Sequence, residues 1–152
     1  MKKKLQITIT ILLAIFCISC STNKQIISES KNENNPKILE KNEELKSDLK
    51  HIAYFDKDSL NRIKAVRKLN NEEVLKQVAY FDSCIIARKL ATEKINNESY
   101  LKHIAYFDKS SNVRKLATSK IKSVVILNHI SKFDSDLEVK KIANDILKKI
   151  KE

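Results

Sequence analysis

Leu101-Lys-His-Ile-Ala-Tyr-Phe-Asp108 decides the fold, because the chain spells it out four times. It stands also as Leu49-Lys-His-Ile-Ala-Tyr-Phe-Asp56, as Leu75-Lys-Gln-Val-Ala-Tyr-Phe-Asp82 and, more loosely, as Leu127-Asn-His-Ile-Ser-Lys-Phe-Asp134. The interval is 26 residues each time, with no insertion or deletion. A fixed period of this length means one structural unit stacked on itself.

Inside each unit the pattern is helical. Leu101, Ile104 and Ala105 fall at i, i+3 and i+4, and Phe107 is read as closing that stripe. Val113, Leu116, Ala117 and Ile121 make a second stripe. Between them lies Asp108-Lys-Ser-Ser-Asn112, with Ser110 expected as an N-cap, as are Asp58 and Asp136 at the matching positions; Cys84 breaks that rule. The second helices are read as ending at Asn70-Asn71 and Asn96-Asn97, where Asn would stand in for Gly as a left-handed cap. The expected fold is all-α: a short α-solenoid of four 26-residue helix–turn–helix repeats, 49–74, 75–100, 101–126 and 127–152. In the last repeat Ser131 and Lys132 replace Ala-Tyr, as suits an end cap with a polar outer face.

Composition agrees. The chain has 152 residues, 42% of them apolar, so one domain with a buried core is within reach. It holds no Gly, no Trp and one Pro. Lack of Gly argues against β-hairpin architectures and against Gly-rich phosphate loops. Net charge is +11, and the 22 basic and 13 acidic residues of 49–152 place +9 in the repeats.

The N-terminus reads as an export signal. Met1-Lys-Lys-Lys4 is basic, and Leu5 to Ile18 is mostly apolar, a length that suits a signal peptide and is short for a membrane span. Cys17-Ile-Ser-Cys20 then resembles a bacterial lipoprotein lipobox, departing from the usual pattern at Cys17, where an aliphatic residue is common. The resemblance implies removal of residues 1–19 and lipidation of Cys20, hence a membrane partner and a place in the bacterial cell envelope, with the face unassigned. Two or more acyl chains make a stable anchor. Cys84 would then be the one unmodified thiol, so no internal disulfide is expected. Residues 20–48 are read as a tether. Its first half is rich in Ser, Asn, Lys and Glu and is expected to be disordered. Asn35-Pro36 followed by Ile38, Leu39 and Leu45 signals a short helix capping the first repeat.

The turn and second helix carry a family resemblance. Asp108-Lys-Ser-Ser-Asn-Val-Arg114-Lys-Leu-Ala117, Asp134-Ser-Asp-Leu-Glu-Val-Lys140-Lys-Ile-Ala143 and Asp82-Ser-Cys-Ile-Ile-Ala-Arg88-Lys-Leu-Ala91 are similar to HEAT repeats, marked by Asp-x-Asp/Ser-x-x-Val-Arg-x-x-Ala. Asp56-Lys-Asp-Ser-Leu-Asn-Arg62-Ile-Lys-Ala65 matches less well, with Asn61 at the Val position. The chain departs from HEAT in lacking a Pro in the turn and a Gly after the second helix, and its unit is short. The resemblance implies that Asp56, Asp82, Asp108 and Asp134 and the column Arg62, Arg88, Arg114 and Lys140 tie neighbouring repeats by charge-assisted hydrogen bonds. It names no function, because such folds build binding surfaces of many kinds.

Other columns bear on binding. Tyr54, Tyr80 and Tyr106 stand beside Phe55, Phe81 and Phe107; the Phe column is read as core with Tyr at its edge, and an exposed Tyr column would make a binding strip. Lys68, Lys94 and Lys120 align, as do Lys89, Lys115 and Lys141, and Lys50, Lys76 and Lys102. These are either solvated faces or stripes able to hold an acidic protein, anionic lipid headgroups or an anionic polymer. His51, His103 and His129 share one position but would lie on the order of 10 Å apart, too far to share a metal. We expect no cofactor, no metal, no catalytic residue and a monomer. The favoured reading is a lipid-anchored envelope module that binds an acidic protein. Nucleic-acid binding would fit a cytoplasmic protein, and an enzyme would need a nucleophile–base pair or a phosphate loop, neither of which is seen.

Overall fold

The computed structural model describes residues 36–152, so the segment read as an export signal, Cys20 and the first half of the segment read as a tether lie outside the described residues. All the described secondary structure is helical: α1 (Pro36–Phe55), α2 (Ser59–Lys68), α3 (Glu72–Phe81), α4 (Ile85–Lys94), α5 (Glu98–Phe107), α6 (Ser111–Lys120), α7 (Val124–Phe133) and α8 (Leu137–Lys151). Residues Glu44–Glu152 form one compact unit, and 36–43 are the opening turns of α1. Among the described residues no helix is long and apolar enough to cross a membrane.

The chain is an all-α repeat solenoid. The odd-numbered helices are the A helices and the even-numbered ones the B helices of four units. Each later A helix starts three residues earlier than the sequence blocks suggested, at Glu72, Glu98 and Val124. Asn71, Asn97 and Ser123 set these starts. Asn71 Oδ1 accepts from the N–H groups of Glu73 and Val74, Asn97 Oδ1 from Ser99 and Tyr100, and Ser123 from Ile126. These asparagines therefore cap the N-termini of the following helices, not the C-termini of the preceding ones. The residues that end the B helices are Leu69, Ile95 and Ile121, all extended (ψ 140°, 133° and 137°) and all buried. No described residue has positive φ. That is how a chain without Gly makes the seven links between its described helices: each uses extended backbone, and the three links after B helices also bury an apolar residue. In the first unit the helix begins at Pro36 and runs without a break into the first A helix, so no separate capping helix forms.

The A–B turns follow one plan. Asp56, Asp82, Asp108 and Asp134 each fold back on their own turn, accepting from the N–H two residues on at 2.7–2.8 Å. Asp58 and Asp136 cap their helices with side-chain oxygens, whereas Ser110 and Cys84 occupy the same position without a capping bond.

The core is a double column. Leu75, Leu101 and Leu127, with Val78, Ile104 and Ile130, face inward from the A helices; Val66, Val113 and Val139 face them from the B helices. Ala65, Ala91, Ala117 and Ala143 are all at most 2% exposed and let the B helices approach one another. Fully burying one such Leu or Ile contributes about 1.5–3 kcal/mol. B helices pack on B helices along the whole stack, while α3, α5 and α7 meet one another only sparsely. The stack is therefore tight on its B side and open on its A side.

The first unit is built as an end. Asn61 stands where Ala87, Val113 and Val139 are wholly buried, and exposed Lys64 stands where Leu90, Leu116 and Ile142 are half-buried. Asn61 Nδ2 donates to Asp56 at 3.2 Å, filling the place an arginine takes in the other units. The weaker repeat match here is thus a polar outer face.

Candidate functional site

The Asp and Arg columns form a buried ladder. Arg62 donates through Nε and Nη2 to Asp82 at 2.7 and 2.8 Å, Arg88 to Asp108 at 2.8 and 3.0 Å, and Arg114 to Asp134 at 2.9 Å twice. Each Nη1 also donates to the carbonyl of the Asp in its own unit. The bond to its Asp raises each guanidinium pKa against the cost of burial. Burial pushes the Asp82 and Asp134 carboxyls up, but the arginines and the turn N–H groups outweigh it and hold both below the ordinary carboxylate range. Such groups are fully spent on one another and offer nothing to a ligand. Asp56 has no arginine before it, and Lys140 ends the other column.

One of the lysine columns is also mostly structural, and a second is engaged at one position. Lys94 Nζ donates to the Val66 and Arg67 carbonyls at 3.3 and 2.7 Å, and Lys120 to those of Thr92 and Glu93 at 3.2 and 2.5 Å and to that of Ile95. Both therefore cap the open carbonyls of the preceding B helix, where the helix dipole favours a cation. Lys68 has no preceding B helix among the described residues and is exposed. In the other column Lys115 pairs with Asp136 at 3.6 Å, while Lys89 and Lys141 are exposed. Neither column is an unbroken stripe of free charge. A further ladder was not foreseen: Glu72 accepts from the Asn96 N–H at 2.7 Å, and Glu98 from those of Lys122 and Ser123 at 2.7 and 2.8 Å.

The aromatic columns are arranged the other way round from the sequence reading. Phe55, Phe81, Phe107 and Phe133 are 68–74% exposed, and the half-buried tyrosines are what pack on the core. Helical phase explains the Phe positions: Phe107 is six residues from Leu101, about 120° away around the helix. That arithmetic was available and would have found the column. Tyr54, Tyr80 and Tyr106 are off the stripe too, but neighbouring units cover them. The Tyr80 ring stacks on His103 at 4.1 Å, the Tyr106 ring lies 4.5 Å from His129, and the Tyr80 hydroxyl donates to the Tyr100 carbonyl at 3.4 Å. Burial raises all three phenol pKa values. His103 and His129 in turn touch Phe107 and Phe133, each at 4.9 Å. The histidines are thus spacers in an aromatic ladder, and among the described residues no group of three His, Cys, Asp or Glu could hold a metal.

On the open A side this ladder borders clefts between successive A helices. One of about 330 Å³ lies between Phe55 and Phe81, floored by Ala53 and Val78; one of about 300 Å³ lies between Phe107 and Phe133, floored by Ala105 and Ile130. Beside them run Lys50 and Lys102, their Nζ atoms 6.0 and 5.8 Å from the Tyr54 and Tyr106 rings. Four exposed Phe side chains along one edge form the kind of patch that marks an interaction surface.

No protein-family model, curated protein or solved structure matches this chain.

Proposed function

We propose that this chain is a non-catalytic binding module, related to HEAT repeats and held at the bacterial cell envelope by a lipid on Cys20, which engages a protein partner through the outer face of its A helices. One observation carries the reading: Phe55, Phe81, Phe107 and Phe133 recur in register, all largely exposed, on a stack whose Arg62, Arg88 and Arg114 are already paired with Asp82, Asp108 and Asp134. Exposing four Phe rings is unfavourable in water unless something covers them. The repeat region's charge of +9 favours an acidic partner. The basic B-helix columns give less support, since Lys94, Lys115 and Lys120 are engaged within the stack.

A photo-crosslinking residue placed at Phe107 in intact cells, with the same residue at Glu93 on a B helix as control, tests the surface. A partner captured at 107 and not at 93 supports it; equal capture at both sites refutes it. Acyl labelling of the native chain that disappears in Cys20→Ser tests the anchor.

A further inference from the structure

The A face is not uniform: its features alternate. Between the first and second units, and again between the third and fourth, a cleft of about 300 Å³ or more stands open between two exposed Phe rings. Beside each, a lysine (Lys50, then Lys102) has no ion-pair partner among the described residues. Between the second and third units both features are missing. The Tyr80–His103 stack leaves about 30 Å³ there. Lys76 is ion-paired with Glu73, which also accepts from the Tyr100 hydroxyl.

We propose that the two open clefts are twin subsites for one acidic polypeptide segment, each taking a bulky apolar side chain while Lys50 and Lys102 meet its carboxylates. The proposal rests on the binding-module reading above. The clefts are two repeat steps apart, about 20 Å at the spacing of packed helices. That distance is spanned by about 6 residues of extended chain or about 13 of helix. Charge selects this occupant. A second copy of the chain would bring its own lysine column against Lys50 and Lys102. An anionic membrane would meet a turn edge where the exposed acids Asp58 and Glu138 offset Lys57 and Lys109.

The test uses the full chain in phosphatidylcholine nanodiscs and fluorescein-labelled Glu/Ser peptides bearing one Phe, or two Phe at separations of 3, 6 or 13. We expect the two-Phe peptide at 6 or 13 to bind about 10²-fold tighter than the one-Phe peptide, and the separation of 3 to give no gain. Phe55→Ser and Phe133→Ser, both at exposed positions, should each abolish the gain, while Lys76→Ser leaves it. Two-Phe peptides no tighter than one-Phe peptides would overturn the twin-cleft assignment and leave the binding-module reading standing. Loss of all peptide binding together with absence of crosslinking at 107 would overturn both. Binding to phosphatidylglycerol vesicles, or self-association in sedimentation, that the two Phe→Ser variants abolish while no peptide binds would assign the clefts to lipid or to a second copy and overturn the proposal.

Discussion

Arg88 and Asp108 are twenty positions apart and joined by two nearly parallel hydrogen bonds, with side chains only 3% and 4% exposed. The same contact recurs one repeat on either side, so the stack is pinned at every interface by a planar, bidentate pair in a water-poor setting. Arg88→Ala leaves the Asp108 carboxylate buried without its partner and should cost about 3–5 kcal/mol. Arg88→Lys cannot reproduce the fork and should recover only part of that. Urea unfolding followed by circular dichroism gives both values.

Acid should weaken the same ladder. Asp82 and Asp134 have folded-state pKa values below their ordinary ones. A depressed carboxyl stabilises the fold above its unfolded pKa, about 3.9, and that contribution fades as pH falls through the lower folded value. The urea midpoint should therefore stay level for these groups near neutrality and fall once pH drops below about 4. In Arg62→Ala the part of the fall due to Asp82 should be missing.

The lysine assignments separate by stability. Lys94 caps the preceding B helix through the Val66 and Arg67 carbonyls, and Lys68 has no such helix to cap among the described residues. Lys94→Ala should cost about 0.3–1 kcal/mol, the usual worth of a cation at a helix C-terminus. Lys68→Ala should cost nothing measurable by thermal melting.

Neighbouring aromatics should behave oppositely. Tyr80 packs on the core and stacks on His103, whereas Phe81 is 74% exposed. Phe81→Ala should change stability by no more than about 0.5 kcal/mol, the range for exposed positions. Tyr80→Ala should cost several times that, read from the same melts. If the two costs came out reversed, the Phe column would belong to the core.

Ser110 occupies an N-cap position without a capping bond, whereas Asp136, one repeat later, accepts from two N–H groups. Ser110→Asp should therefore raise stability, by about 0.5–1 kcal/mol.

Much of this was readable in the chain itself. The period follows from comparing the four blocks; the two helices per unit, the Asp58 and Asp136 caps and the core stripes follow from residues within one 26-residue unit, because helix formation and capping are governed by neighbours three or four positions away. Even the outward Phe column was legible, since helical phase is local. Asn71 and Asn97 were misassigned because an Asn between two helices can cap either one, and only the extended backbone at Leu69 and Ile95 shows which.

What lies between units is another matter. Tyr80 is half-buried only because His103 arrives from the next repeat; Lys94 is engaged only because the carbonyls of Val66 and Arg67 end within its reach. Whether a cleft between A helices stands open or is filled depends on how two repeats lean against each other. That angle is set by packing across 26 residues of sequence, and no local rule of spacing encodes it.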